Sequence, residues 1–538
     1  MSSMCSFILT MASLRDLLLA AIKSLFRGRS FLQALLAFWT TSSESSPTIQ
    51  ERNKDGSTSI NEFLAKVEHL LLEPTQPDNL SRLSEKLKLE FREGLLSNPA
   101  CMLPSYHTEL PTGNESGQYL AVDVGGSTLR VALVDLKGRG SSGSPESVIV
   151  SIDTFNIDND IRALKGKAFF DWMAAKIYQT VAKDCKQGHS PDDPLLLGLS
   201  WSFPIHQPTP QTYLLLPMGK SFHASDTLLN HSLPSILQSS CSSLSLHVSP
   251  ATIVNDSTAA LLSAAYSHPT TTTSALILGT GVNIAAYLPL TTISPPKHPH
   301  SLKTEATHVI VNTELGMFGR TSLPLTKWDK QLKASHPNPD FQPLEHLVSG
   351  FYLGEVCRLI LADAVLETGL WGGLLPESLR KEYTLDTKTL AMMDSDPLHF
   401  QTLHPSSSSS LTPPTQTDLP LLLTSIASLV TRRSASILAA SLHALHQINL
   451  EASSSPPSHH QPSPETTTTT TTTTTTIAYT GSVIEHYPHY LSHLQSYLDQ
   501  LTLNTPTTTT TTTFKLVPAK NSSLLGAAVA LACMDKVK

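Results

Sequence analysis

Charge is scarce in this sequence. Only 15% of its 538 residues are Asp, Glu, Lys or Arg, and their balance is −7, so the chain lacks the bulk basic character that sequence-independent binding of a polyanion needs. No nucleic-acid partner is expected. Aromatic residues are sparse too, at 6%. Cysteine is limited to Cys5, Cys101, Cys185, Cys241, Cys357 and Cys533, with no CxxC pair and no His/Cys spacing suited to zinc, a pattern that fits a reducing compartment. The histidines of "HPH" (298–300) and "SHH" (458–460) lie among Pro and Ser, as solvated loop residues do. At this length two or three domains are expected rather than one core.

The first 45 residues read as a basic amphipathic helix. Leu14, Leu17, Leu18, Ala21, Ile22 and Leu25 recur at helical spacing, and Arg15, Lys23, Arg27 and Arg29 supply positive charge. The charges interrupt the apolar stretch well before the ~20 residues a spanning helix requires, and no small-residue cleavage site follows as in a secretory signal. Two readings stay open: a membrane-surface or mitochondrial targeting helix, most plainly at the mitochondrial outer membrane with the body in the cytoplasm, and a helix that packs on the protein itself. Residues 46–58 are polar and turn-rich, a linker.

Beyond it, "INEFLAKVEHLL" and "LSRLSEKLKLEFREGL" have helical periodicity. Apolar runs such as "YLAVDV", "LRVALVDL", "LLLGLSWSF", "ATIVND", "SALILG" and "TIAYTGS" read as strands and alternate with helical stretches, which predicts an α/β protein. Segments 404–418, 453–476 and 505–513, rich in Ser, Pro and Thr, read as surface loops of low complexity.

Chemistry concentrates at strand ends. In "YLAVDVGGSTLRVALVDL" a strand ends at Asp123, Gly125, Gly126 and Ser127 make a tight turn, and a second strand leaves through Arg130. Two glycines can adopt unusual φ and present adjacent N–H groups as a nest for phosphate oxygens, while Asp123 is the candidate to face a hydrated magnesium ion. The spacing is neither GxGxxG nor GxxxxGKS, so the dinucleotide and P-loop fingerprints are excluded. "SALILGTGVNIAAY" repeats the plan with Gly279, Thr280 and Gly281, then Asn283. Two such hairpins imply an internally duplicated fold closing on a nucleotide from two sides.

With these segments in view, the chain resembles the hexokinase family of the actin-like ATPase superfamily over about residues 60–535. "DVGGSTLR" and "LGTGVN" look like the family's two phosphate motifs. "LGLSWSFP" with "MGKSF", "IVNDSTAAL", "NTELGMFG" and "LEHLVSGFYLGE" look like its sugar and catalytic segments, and "YTGSVIEHYP" and "SSLLGAAVALA" like those bordering adenosine. The resemblance implies two ribonuclease H-like domains, a small lobe at 59–250 and a large lobe at 251–538, around a sugar cleft. It implies ATP and Mg2+ as cofactors and a hexose as substrate. It carries Ser202, Phe203, Lys220, Asn255, Asp256, Asn283, Glu314 and Glu345 to the sugar, with Asp256 as general base and Lys220 beside it. It carries Asp123, Gly125, Gly126, Ser127, Arg130, Gly279, Thr280, Gly281, Gly481, Ser482 and Ser523 to the nucleotide. From the residues alone, Asn255 and Asp256 equally suit a helix cap.

Departures from the family pattern bear on function. Gly219 stands where threonine is usual, Leu315 replaces the aromatic of EWG or EYG, Ser127-Thr128-Leu129 replaces Thr-Asn-Phe, and "NSSLLG" (521–526) replaces DGSGKG, keeping Ser523 and Gly526. Weakened ATP binding and room for a bulkier sugar substituent are the expected consequences. The pattern resembles fungal hexokinase-like proteins, some of which phosphorylate N-acetylglucosamine while others are regulatory.

Overall fold

The computed structural model describes residues 58–140, 145–184, 190–219, 221–300, 302, 305–375, 377–395, 418–454, 471–504 and 510–535. The basic segment 1–45, nearly all of the linker 46–58, Lys220 and the loop 404–417 lie outside them.

Helices α1 (Ile60–Leu72) and α2 (Pro77–Ser97) open the described chain. The first is started by a capping box in which Ser59 and Glu62 satisfy each other's backbone donors. A two-residue strand, β1 (Leu103–Pro104), follows. The first large sheet comprises β2 (Ser116–Val124), β3 (Thr128–Arg139), β4 (Pro145–Asn156), β5 (Leu195–Trp201) and, beyond the hairpin β6 (Ile205–Thr209) and β7 (Thr212–Leu215), β8 (Val248–Val254). Its order is β4-β3-β2-β5-β8. Helices α3 (Asn159–Arg162), α4 (Lys167–Asp184) and α5 (Leu233–Ser242) belong to this half, and α6 (Asp256–Ser267) closes it.

The second half repeats the plan. Strands β9 (Thr272–Leu278), β10 (Val282–Pro289), β11 (His308–Asn312), β12 (Thr471–Thr480) and β13 (Thr510–Pro518) lie in the order β11-β10-β9-β12-β13, with β1 added beside β11. In both sheets three antiparallel strands are continued by two parallel ones. Between β11 and β12 the chain makes α7 (Lys327–Ser335), α8 (Glu345–Val348), α9 (Gly350–Thr368), α10 (Glu377–Arg380), α11 (Thr387–Ser395) and α12 (Asp418–Ser454). Then come α13 (Ser482–His486), α14 (Tyr490–Asn504) and the closing helix α15 (Ser522–Asp535). The duplication expected from the two glycine turns is thus present as two sheets of one topology.

Two sequence expectations are corrected. The threonine runs are not simply loops: Thr471–Thr474 pair with Thr510–Thr513 in register as the outer ends of β12 and β13, and Ser453 and Ser454 finish α12. Thr is β-branched and suits an extended, half-buried ladder, and the apolar Ile477–Tyr479 and Phe514–Val517 fix the register from which it extends. The division at residue 250 does not follow the cores either. Phe63, Val67, Leu71, Leu87 and Phe91 of α1 and α2 are buried in one cluster with Leu276, Ile284 and the α12 side chains, so the first helices complete the second half.

Helix α12 is apolar enough in composition to cross a membrane, but 67% of its most apolar window is buried inside the protein, packed on α1, α2 and α14. It also carries Arg433, whose guanidinium donates to both oxygens of Asp329 at 2.7 and 2.9 Å with both side chains under 3% exposed. Asp329 in turn accepts from Thr326, closing the cap of α7. Burial alone would raise the Asp329 carboxyl, and Arg433 with the Thr326 donors reverses this, holding it below its ordinary value. A depressed carboxyl stabilises the fold above its unfolded pKa and loses that contribution as pH falls through the folded one. Arg433→Leu, leaving a buried carboxylate unpaired at neutral pH, is expected to cost about 3–5 kcal/mol in denaturant unfolding, and adding Asp329→Leu to recover most of it. A single variant of unchanged stability would show that the pair does not hold α12 to α7.

Candidate active site

Strands β2, β5 and β8 are parallel and end at one edge, so the residues that leave them, Asp123 with the glycine turn, Ser202, and Asn255 with Asp256, converge there. Ser202 is tied to β2 by its N–H, which donates to the Val124 carbonyl at 3.2 Å, and its hydroxyl donates to Asp256 Oδ2 at 3.2 Å. Asp256 Oδ1 accepts from the Ser257 N–H at 2.8 Å. Asn255 is the cap of α6, its Oδ1 accepting from the Ser257 N–H and hydroxyl at 2.9 and 2.7 Å. Capping and cleft geometry are therefore combined: Asn255 holds the helix end while one oxygen of Asp256 meets Ser202. Phe203, expected at the sugar, has its side chain in the first core, packed on Trp201 and Phe222 at ring distances of 5.1 and 4.9 Å. The ring thus packs in the core directly after Ser202.

The first phosphate turn is closed by the Gly125 N–H donating to the Thr128 carbonyl at 3.0 Å, and Ser127 stands exposed at its tip. Neither Gly125 nor Gly126 has positive φ. The expected unusual backbone is absent there, and what the glycines leave is an uncovered peptide surface: the nearest atom to a β-carbon on Gly125 would be 3.7 Å away. Arg130 donates from Nε and Nη2 to Asp123 Oδ2 at 2.9 and 2.7 Å, and Nη2 also reaches Ser523 Oγ at 2.7 Å. Asp123 is buried and one of its oxygens is taken by arginine, so it fits a magnesium ion only as an ion carried on nucleotide phosphates and met through water, not as a protein-caged metal. Among the described residues no three His, Cys, Asp or Glu side chains gather to hold one.

The second turn is built by close approach. A β-carbon on Gly350 would lie 2.7 Å from the Gly279 oxygen and one on Gly481, at φ +123°, 2.3 Å from the Leu278 oxygen. Gly350 and Phe351 donate to the carbonyls of Gly279 and Thr280 at 2.8 and 3.1 Å. Ser482 faces Gly279, and Thr280 is exposed at the tip. Glu345 Oε2 accepts the Val282 N–H at 3.0 Å, directly over Gly281.

Asn283 leads into a network the sequence reading did not include. Its Nδ2 donates to Asn312 Oδ1 at 2.9 Å, and Asn312 Nδ2 donates to Glu314 Oε1 at 2.8 Å. Glu314 itself has φ +50°, a left-handed conformation that non-glycine residues keep only when their surroundings determine it. Asn312 had one available signal: it is the polar end of the apolar strand "HVIVN".

Two units of one topology, meeting at glycine turns and polar strand ends, define a duplicated actin-like ATPase fold. A hexokinase from Schistosoma mansoni, solved in complex with glucose, shares this fold with a TM-score of 0.67 at 24% identity, over 88% of this chain and all of that one. The chain belongs to the hexokinase family: hexokinase family profiles match residues 68–266 and 273–533 in succession. Hexokinase-9 of Oryza sativa subsp. japonica is 31% identical over 59% of this chain and 62% of its own length. A hexokinase of Schwanniomyces occidentalis is 29% identical over 62% and 71%. The matches span just under two thirds of the plant relatives.

Removing the Asn312 side chain breaks the link between Asn283 and Glu314 and leaves both half-buried groups short of a partner. Asn312→Ala is expected to lower the unfolding free energy by about 1–3 kcal/mol, with Asn312→Asp no better because it sets one carboxylate against another. Chemical denaturation checks this, and wild-type stability in both variants would refute the bracing role.

Proposed function

We propose that the protein is an ATP-dependent hexose kinase that transfers the γ-phosphoryl group to the 6-hydroxyl of glucose, N-acetylglucosamine or a similar hexose. The observation that carries this reading is the meeting of Ser202 Oγ and Asp256 Oδ2 at 3.2 Å where three parallel strands end. A sugar presents hydroxyls that both donate and accept, and Ser202, Asn283, Glu314 and Glu345 are a matching set of side chains. Lys220, outside the described residues, completes that set in this proposal. Asp256 accepts the proton of the attacking hydroxyl as its oxygen approaches phosphorus. The N–H groups of the two turns receive the phosphates, with Gly481, Ser482 and Ser523 toward the adenosine side. Magnesium, when bound with ATP, supplies neutralisation of the phosphate charge.

Gly219 supports the larger sugars: it stands at φ +67° with nothing among the described residues within 4 Å of where its β-carbon would be. A sugar-sensing regulator of little activity is the second reading. Its support is segment 521–526, where Leu524, fully buried, occupies part of a run that is glycine-rich in the family pattern. Asp256→Asn separates the two. The amide still accepts from Ser257, so stability is expected to change by less than ~1 kcal/mol, while turnover falls at least ~10²-fold and sugar affinity changes far less. Thermal melts, calorimetry and product formation over a hexose panel read this out. A variant of near-wild-type turnover would sink the base assignment; a wild type that binds sugar without making product would establish the regulator.

Cytoplasmic location with reversible attachment of residues 1–45 to a membrane surface is part of the proposal, based on the basic amphipathic pattern. Deleting residues 1–45 is expected to move the protein from the membrane fraction to the soluble one with the melting midpoint changed by less than ~2 °C. A soluble full-length protein and an aggregating deletion would show that the segment packs on the body.

A further inference from the structure

Arg162 belongs to no segment singled out by the sequence, yet it touches both the first glycine turn and the loop that follows Gly219. It ends α3, the short helix capped by Asp158. Its Nη2 donates to the Gly126 carbonyl oxygen in the first phosphate turn at 3.0 Å. Its own carbonyl accepts the His223 N–H at 3.0 Å, and its guanidinium carbon lies 5.9 Å from the centre of the Phe222 ring. Phe222 closes the loop that begins at Gly219, donating its N–H to the Gly219 carbonyl at 2.9 Å, and its ring abuts Phe203 next to Ser202. The remaining guanidinium contact is a long one, Nη1 to Asn159 Oδ1 at 3.4 Å, and Nε is buried without a hydrogen-bond partner among the described residues. No ion pair among the described residues joins Arg162 to a carboxylate.

Two consequences follow from elementary geometry. A trans peptide is planar with its C=O and N–H pointing in opposite directions. By holding the Gly126 oxygen, Arg162 turns the Ser127 N–H to the other side of the same peptide, away from the guanidinium and toward the exposed tip of the turn. A cation on the carbonyl also polarises that peptide and makes its N–H a stronger donor. The same residue is fastened by its backbone to the loop that carries Lys220 in sequence, so a shift of that loop and a shift of the Gly126–Ser127 peptide are mechanically connected.

We propose that Arg162 is a positioning residue that couples the sugar-side loop, Gly219–His223, to the first phosphate turn by aiming the Ser127 N–H at the nucleotide's phosphates. Hexose binding, in fixing the loop, fixes the donor and raises affinity for the triphosphate. Nucleotide does the same for hexose, since the coupling is reciprocal.

This rests on the kinase reading, and the experiment keeps the two apart. The full-length wild type, Arg162→Met and Arg162→Lys are compared in binding of a non-hydrolysable ATP analogue, AMPPNP with magnesium, with and without the hexose that the wild type binds best. Steady-state kinetics and thermal melts accompany the binding. In the wild type, sugar is expected to tighten analogue binding about 10-fold. In Arg162→Met that ratio falls to below about 2, KM for ATP at saturating hexose and KM for hexose at saturating ATP both rise about 5- to 10-fold, and hexose affinity without nucleotide and the melting midpoint stay within about 2-fold and 2 °C. Arg162→Lys, keeping the charge and one donor, regains part of the coupling. A Met variant that retains the ratio, or one that weakens hexose binding without nucleotide and stability together, overturns the proposal while leaving the kinase reading intact. A wild type that binds neither ligand overturns both.

Discussion

The two halves of this protein are held together by a contact that admits no side chain. A β-carbon on Gly526 would stand 1.9 Å from the Ala259 oxygen, and one on Gly198 would stand 2.4 Å from the Ala527 oxygen. Helix α15 thus lies backbone to backbone against α6 on one side and against β5 on the other. The neighbours are small as well: Ala259, Ala260, Ala264, Ala527, Ala528 and Ala530 are buried in the core between the halves. Alanine removes little apolar area from water, so this junction draws its strength from close packing over many atoms more than from transfer of large side chains. It is correspondingly intolerant of added volume.

That crossing sets the dimensions of the cleft. Asp256 begins α6 and Ser523 lies in the first turn of α15, so the separation between these two side chains is fixed by where the helices meet. The Arg130 fork then ties Ser523 to Asp123, joining the helix that closes the second half to the first strand of the first half. On the facing side Glu345 grips Val282 and the Asn283–Asn312–Glu314 chain holds a strained backbone. Asp123, Asp256, Asn283, Glu345 and Ser523 are each thereby anchored to a strand end or a helix start, as a preorganised site requires.

Much of this was legible because apolar runs punctuated by glycine mark buried strands and their turns, as in 119–136 and 274–287. What periodicity conveys is that a face is buried, not against what. The stripe of Phe63, Val67 and Leu71 announced a helix, but its partner is α12, more than 350 residues later. The threonine runs hid their strands for a different reason: a homopolymer carries no alternation, and its register is set by neighbours at Ile477 and Phe514. Arg162 and Asn312 each join groups that lie apart in the chain, Gly126 to His223 and Asn283 to Glu314, which one lone arginine or asparagine cannot signal. The glycine turns were found for a reason only half right, since their use lies in exposed peptide surface rather than in positive φ.

The departures at 521–526 take on a definite pattern once their contacts are known. The two residues shared with the family's glycine-rich segment, Ser523 and Gly526, are those with partners inside the protein: Arg130 for one, the Ala259 backbone for the other. Leu524, at a position where that segment has glycine, gains a fully buried place between the halves, whereas Asn521 is exposed at φ +50°. The segment has therefore exchanged backbone freedom for apolar anchoring while preserving the contacts that hold the first phosphate turn. Loss of glycines on the adenosine side and retention of the turn are separable, because the turn depends on Asp123, Arg130 and Arg162 and none of these lies in the altered segment. On the kinase reading proposed above, any weakening of nucleotide binding from this source falls on the base and ribose, and the phosphoryl group is left to the turn residues, which lie outside the altered segment.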